Sequence, residues 1–145
     1  GAAVVSANKE IVRRLVDGGW RDRNLALIDE LVAQEYVGHD PTQPGPILGR
    51  QGFKEFVGMY QAAFADAAIT IDDQIAEGDI VVTRWTGRGT HTGELMGIAP
   101  TGKEATVSGI TLSRLAGGKI ADEWELMDAL GMLVQLGAVP QPATA

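Results

Sequence analysis

Four carboxylates in one short segment are the side chains of this chain best suited to proton transfer. The segment GKIADEWELMDALGMLVQLG contains all four of them: Asp122, Glu123, Glu125 and Asp128. Burying a carboxylate without a partner is costly or raises its pKa. The cluster is therefore either solvated or held in place for acid–base chemistry, and the surrounding elements decide between the two.

The four carboxylates are not equivalent. Asp128 precedes the apolar run ALGMLVQLG, and an aspartate in that position predicts a helix N-cap. The preceding residues predict a strand over Lys119 to Met127. On such a strand Glu123 and Glu125 share one face, whereas Trp124 lies on the opposite face.

The preceding predicted strand has the same two-sided character. One of its faces carries the small or polar residues Gly109, Thr111 and Ser113. The other face carries Ile110 and Leu112. Each of the two strands therefore has an apolar face and a small or acidic face, and either face could meet the helices.

Two orientations of the sheet remain open. In the default one the apolar faces pack on the helices and the glutamates lie in water. In the alternative, Thr111, Glu123 and Glu125 line a cavity, and an apolar patch on the outer face requires an oligomer. Glycines inside the strands, such as Gly87 and Gly109, indicate room for a ligand and favour the alternative.

Hydrophobic periodicity predicts an α+β protein. Helical spacing is found over Asn8 to Trp20, Asn24 to Val32 and Gln51 to Phe64. Strand patterns with short turns follow over Ile69 to Ala76, Ile80 to Thr92, Glu104 to Leu115 and Lys119 to Met127. The segment from His39 to Gly49 is rich in proline and glycine and predicts a loop. Helices followed by an antiparallel meander predict helices packed on one face of a curved sheet.

Composition predicts one domain over residues 1–145, with its core at about 8–138. The formal net charge is −7, which disfavours nucleic acid and anionic membrane surfaces as partners. The chain has no cysteine, so thiolate chemistry and disulfides are excluded. The first residues lack a basic n-region, and eighteen apolar residues never run together, so we expect a cytoplasmic protein.

The two histidines offer further proton-transfer groups. His39 precedes the proline-rich loop and His91 lies in the segment GTHTG. Each could be functional or structural. The chain has neither HxH nor HExxH spacing, so we expect no metal. Arg84 could bind an anionic group of a substrate or pair with an acid such as Glu123.

The sequence resembles the SnoaL-like polyketide cyclases, or ester cyclases, in three segments. They are NKEIVRRLVDGG from Asn8, RWTGRGTHTGELMGIAPTGK from Arg84, and the acidic segment above. The family belongs to the nuclear-transport-factor-2-like superfamily. The resemblance implies a cone-shaped α+β barrel, in which three N-terminal helices pack on a curved, mostly antiparallel sheet that encloses a pocket.

The resemblance also implies site residues. The acidic residue that shuttles the proton in the cyclases falls on Glu125, with Glu123 beside it. The histidine of the preceding strand falls on Thr111, which can orient an oxygen but cannot act as a base near pH 7. The pocket entrance falls near His39. Pocket-lining positions fall near Trp20 and on Phe56, and we add Tyr60 as a wall residue; the default role of these aromatics is the core.

Three functions follow as hypotheses. The first is a cofactor-independent, polyketide-cyclase-like enzyme that performs an intramolecular aldol reaction on a small hydrophobic carbonyl compound. In it Glu125 transfers the proton, and His39 or His91 assists together with Thr111. The second is another acid–base enzyme of this fold, an isomerase, dehydratase or epoxide hydrolase. The third is a non-catalytic protein that binds a small ligand. In each case we expect a homodimer or homotetramer through the outer sheet face.

Overall fold

Four α-helices pack against one six-stranded sheet in the computed structural model, which describes residues 1–141. The helices are α1 (Ala2–Arg14), α2 (Leu25–Leu31), α3 (Gly49–Ala63) and α4 (Ala129–Gln135). The strands are β1 (Val32–His39), β2 (Ile47–Leu48), β3 (Ala68–Glu77), β4 (Ile80–Thr90), β5 (Glu104–Ala116) and β6 (Lys119–Met127). The predicted α+β fold, with helices packed on a mostly antiparallel sheet, is confirmed.

The N-terminal helices meet at a pair of glycines. A π-helical segment, Leu15–Arg21, continues α1, and a Cβ on its Gly18 would overlap the side chain of Leu27 in α2. The glycine therefore allows α2 to pack closely on the end of α1. Asn24 caps α2 as predicted, because its side chain accepts a hydrogen bond from the Ala26 amide at 3.1 Å.

The sequence-based prediction did not include the strand β1 between α2 and α3. Helix α2 ends at Leu31, and β1 begins at Val32 with no breaker between them. Strand β1 pairs in parallel with β6 and antiparallel with β2, so the strand order is β2-β1-β6-β5-β4-β3. The sequence VAQEYVGH lacks strict alternation of apolar and polar residues, and its pairing with β6 is a long-range contact that local periodicity does not reveal.

The default orientation of the sheet was also wrong. Ile110, Trp124 and Leu126 are 50%, 45% and 67% exposed, whereas Glu123 and Glu125 face inward. The apolar core lies instead between the helices and the sheet ends, with buried residues such as Val12, Leu15, Ile28, Phe53, Val57, Leu115 and Ile120. The middle of the inner face remains polar because hydrogen-bonding partners for the glutamates lie on neighbouring elements.

The prediction of one domain over 1–145 stays a prediction, since the tail from 142 lies outside the described residues. Among the helices within 1–141, none is both long enough and apolar enough to span a membrane.

Candidate active site

A cavity lies between the inner face of the sheet and the helices α1 and α3. Its wall is mainly apolar, with side chains that include Leu15, Trp20, Phe53, Phe56, Phe64, Val107 and Met132. Polar residues also line the same space, among them Asp40, Thr111, Glu123 and Glu125. A mainly apolar cavity with a few convergent polar groups is typical of a small-molecule site.

Glu123 is held by two hydroxyl groups. Tyr36 Oη donates to its Oε1 at 3.0 Å, and Ser113 Oγ donates to its Oε2 at 2.6 Å. The Tyr36 ring lies over Gly38, where a Cβ would come within 2.6 Å of the phenol oxygen. Burial raises the pKa of Glu123, and these two hydrogen bonds act against that rise. Both oxygens of Glu123 are therefore already engaged.

Glu125 lies two residues further along β6, on the same face of the strand. Its pKa is raised well above the usual range, first by burial, then by the hydrogen-bonding contact with Asp40 and by the charges of Asp40 and Glu123. Thr111 Oγ1 donates to Glu125 Oε1 at 3.4 Å, which acts against the rise. A buried carboxyl with a raised pKa is a candidate for proton transfer.

Asp40 is the residue of the site that the sequence reasoning missed. It follows β1 directly and is only 6% exposed. Its Oδ1 accepts hydrogen bonds from the Thr42 amide at 2.8 Å and the Thr42 hydroxyl at 2.7 Å. Had β1 been recognised, the alternation Tyr36, Gly38, Asp40 would have placed Asp40 on the inner face.

Thr111 is oriented by an indole. Trp85 Nε1 donates to Thr111 Oγ1 at 3.0 Å, so the threonine hydroxyl is free to donate its own proton to Glu125. The indole lies across Gly109 on β5, directly opposite Trp85, and a Cβ at that position would overlap the ring. The predicted role of Thr111 as an orienting group is consistent with this geometry.

The three predicted wall residues form one aromatic cluster. Trp20 and Phe56 are edge-to-face with ring centroids 5.9 Å apart, and Phe56 and Tyr60 are edge-to-face at 5.4 Å. All three line the cavity. Burial raises the pKa of Tyr60 to about 12, so its hydroxyl stays protonated at neutral pH.

The histidines do not complete the site as predicted. His39 borders the cavity, but its exposed ring stacks on Trp124 at 5.1 Å and 19°, on the outer side of the sheet. His91 is fully buried outside the cavity lining and packs on Phe64 at 5.7 Å. Its Nδ1 accepts from the Thr101 amide at 3.2 Å, so His91 holds the loop between β4 and β5.

Arg84 is not a cavity residue. In the β4–β5 register it pairs with Ile110 and therefore lies on the outer face, where its Nη2 contacts Asp73 Oδ2 at 2.6 Å. The prediction that it binds substrate in the cavity is wrong because of this face assignment. The same register shows that it does not pair with Glu123.

Asp128 is the helix cap that the sequence predicts. Its Oδ1 accepts from the Gly131 amide at 2.9 Å at the start of α4. Of the four carboxylates in the acidic segment, only Glu123 and Glu125 face the cavity. Within residues 1–141 no group of three or more His, Asp or Glu side chains is arranged to hold a metal ion.

Comparison with known proteins supports the same fold and identifies a family. The family model described as SnoaL-like polyketide cyclase matches residues 10–136. Nogalonic acid methyl ester cyclase of Streptomyces nogalater is 31% identical over 76% of this chain and 83% of its own length. Aklanonic acid methyl ester cyclase DnrD of Streptomyces peucetius is 29% identical, over 92% of each chain.

Among solved structures, IdmH of Streptomyces antibioticus matches with a TM-score of 0.80 and 32% identity. The match covers 90% of this chain and 98% of IdmH. Cavity, fold and similarity agree, and the chain belongs to the SnoaL-like polyketide cyclase family.

Proposed function

We propose that this protein is a cofactor-independent cyclase that performs an intramolecular aldol reaction on a small, hydrophobic, polyketide-type carbonyl compound. The observation that carries the proposal is Glu125, a carboxyl with a raised pKa that faces an apolar cavity. The names of the two methyl ester cyclases support the substrate class.

The aldol reaction needs little beyond proton transfer and positioning. A base removes the proton from a carbon next to a carbonyl, the resulting enolate attacks a second carbonyl carbon, and the new oxyanion takes a proton. Glu125 is placed to transfer protons, and Thr111 is placed to hydrogen-bond a substrate oxygen or a water. The cluster of Trp20, Phe56 and Tyr60 would hold a flat substrate by apolar contact.

A second candidate keeps the cavity and changes the reaction. Thr111 occupies the position where the family resemblance implies a histidine, and a threonine that orients water beside Glu125 suits an epoxide hydrolase or a dehydratase. The same substitution is compatible with a protein that binds its ligand without turnover. The masses of the products separate these cases.

The experiment is incubation of the protein with nogalonic acid methyl ester and with aklanonic acid methyl ester, followed by chromatography and mass spectrometry. Cyclisation gives a new product of unchanged mass, because the aldol step is an isomerisation. Hydration adds one water and dehydration removes one. Recovery of unaltered esters, together with measurable binding, would reject the cyclase for these substrates in favour of a binding protein.

The outer face of the sheet supports self-association as part of the same proposal. Cross-strand register places Ile75, Val82, Leu112 and Trp124 in one row and Ile110 beside Leu126 in the next. A row of apolar side chains across four strands forms a continuous patch, which is typical of interfaces between subunits. The proposed assembly is a homodimer or homotetramer through this face.

A further inference from the structure

The aldol reaction requires an acid and a base at two different atoms. One proton leaves carbon and another reaches the oxygen that becomes a hydroxyl. Glu125 alone can serve only one role at a time, and Thr111 is no base near pH 7. The residue that completes the reaction should therefore be a second titratable group within reach of Glu125.

Asp40 meets that requirement by position. The parallel register of β1 and β6 pairs Gly38 with Glu123 and His39 with Trp124, so the next residue of each strand brings Asp40 beside Glu125. Both side chains line the cavity, and the Asp40 carboxyl raises the pKa of Glu125 through hydrogen bonding and charge. Within the described residues Asp40 Oδ2 is buried, and no N–H or O–H group donates to it.

We propose that Asp40 and Glu125 form a carboxylate–carboxyl pair that holds one proton, and that Asp40 is the second proton-transfer group of the site. Two carboxylates in contact in a buried site do not both ionise, since their charges repel and neither is solvated. A single shared proton satisfies Asp40 Oδ2, which would otherwise be an orphaned acceptor.

The hydrogen bonds decide where the shared proton lies. Asp40 Oδ1 already accepts two hydrogen bonds from Thr42, at 2.8 and 2.7 Å. Glu125 receives one donor, Thr111, at the longer distance of 3.4 Å. In the resting site Glu125 therefore holds the shared proton and donates it to the buried Asp40 Oδ2. Other titratable groups along the cavity are Tyr36, His39, Tyr60, Arg88 and Glu123.

The pair balances the reaction without a third group. The ionised member takes the proton from carbon, the protonated member gives its proton to the carbonyl oxygen, and a C–C bond forms as the C–H bond breaks. The pair ends with one proton and one negative charge, as it began, with the proton on the other carboxyl. Transfer across the hydrogen bond between Asp40 and Glu125 restores the starting state.

A titration that needs no substrate tests the pair. Glutamate side chains labelled with carbon-13 are followed by NMR between pH 4 and 9 in the whole protein, and Glu125 is assigned with Glu125→Gln. Asp40→Asn keeps the shape and the acceptor for Thr42 but removes the charge. We expect the midpoint of Glu125 to fall by about 1 pH unit or more. An unchanged midpoint would overturn the pair.

Two further variants provide a second test and a control for this titration. Thr42→Val removes the hydroxyl donor to Asp40 and keeps the backbone donor, so we expect a smaller fall of the Glu125 midpoint. This variant still tests the pair if Asp40→Asn does not fold. Glu55→Gln, which changes an exposed carboxylate of α3, should leave the Glu125 midpoint unchanged.

The catalytic role of Asp40 rests on the proposed function and is tested separately, by enzyme kinetics. With a methyl ester that the protein cyclises, Asp40→Asn should lower kcat about 100-fold or more with little change in KM. Full activity of Asp40→Asn would overturn the catalytic role of Asp40 while the cyclase stands. If the Glu125 midpoint falls in Asp40→Asn but the wild-type protein cyclises neither methyl ester, the pair is upheld and the cyclase is rejected.

Discussion

Asp40 and Glu125 lie beside each other in the cavity lining, across the only parallel strand pair within residues 1–141. Parallel pairing runs β1 and β6 in the same direction, so both carboxyls emerge on the inner face at the same level of the sheet. A pair of carboxyls whose surroundings favour opposite protonation states is a recurrent acid–base arrangement in enzymes.

Glu125→Gln should abolish most of the activity. Glutamine keeps the size and one acceptor of the side chain but exchanges no proton, so we expect kcat to fall by about 10²–10⁴-fold. Steady-state kinetics with either methyl ester measures the effect, with Glu55→Gln as the matched surface control. A variant that retains wild-type kcat would remove Glu125 from the mechanism.

Stability should fall as the pH rises above the range of an ordinary glutamate. The pKa values of Glu123 and Glu125 are raised in the folded state, so that state binds more protons than the unfolded chain. The contribution of the two protonated groups to the free energy of unfolding is fully present below about pH 4.3. It is lost as the pH rises through the raised pKa values, at up to about 1.4 kcal/mol per pH unit for each group.

Urea denaturation between pH 5 and 9 checks this prediction. Glu125→Gln carries no charge to desolvate, so its free energy of unfolding should depend less on pH and should exceed that of the wild type at the alkaline end. Parallel curves for the two proteins would show that Glu125 has an ordinary pKa.

Tyr36→Phe should destabilise the protein and change the titration of Glu123. The variant removes a donor at 3.0 Å from a buried carboxyl, and we expect a loss of about 1–3 kcal/mol in the free energy of unfolding. The pKa of Glu123 should rise further, because this hydrogen bond lowers it. Carbon-13 NMR follows the second effect, and a titration like that of the wild type would contradict it.

Gly109→Ala should displace Trp85. A methyl group at this position overlaps the indole, so the hydrogen bond from Trp85 to Thr111 is lost, and we expect about 1–3 kcal/mol of destabilisation. Tryptophan fluorescence and thermal unfolding report the change. Gly58→Ala on α3 meets no atom within 4 Å and should instead stabilise by about 0.5–1 kcal/mol. Equal stability of the two variants would contradict this account.

Leu126→Lys should dissociate the proposed oligomer. Leu126 is 67% exposed in the outer patch, and a charge there opposes burial against a second subunit. Sedimentation velocity at micromolar concentration should show a dimer or tetramer for the wild type and a smaller species for the variant. Val4→Lys, on an exposed position of α1, is the control. A monomeric wild type would reject the interface.

Local patterns were sufficient for most elements but not for the site. The helical stripe of Phe53 and Phe56, the Asn24 cap and the Asp128 cap all depend on neighbours within one or two turns, and each was predicted. The inward direction of Glu123 was only an alternative, because its partner Tyr36 is distant in sequence. Asp40 was missed for the same reason: only pairing of β1 with β6 gives it a place in the cavity.

The parallel pairing also has a consequence during protein synthesis. Strand β6 follows every other strand of residues 1–141, and β1 joins β3, β4 and β5 in one sheet only by pairing with it. A nascent chain that has not yet released β6 from the ribosome carries Asp40 without Glu125. The proposed carboxyl pair is therefore absent from such a chain and can form only after this last strand has left the ribosome.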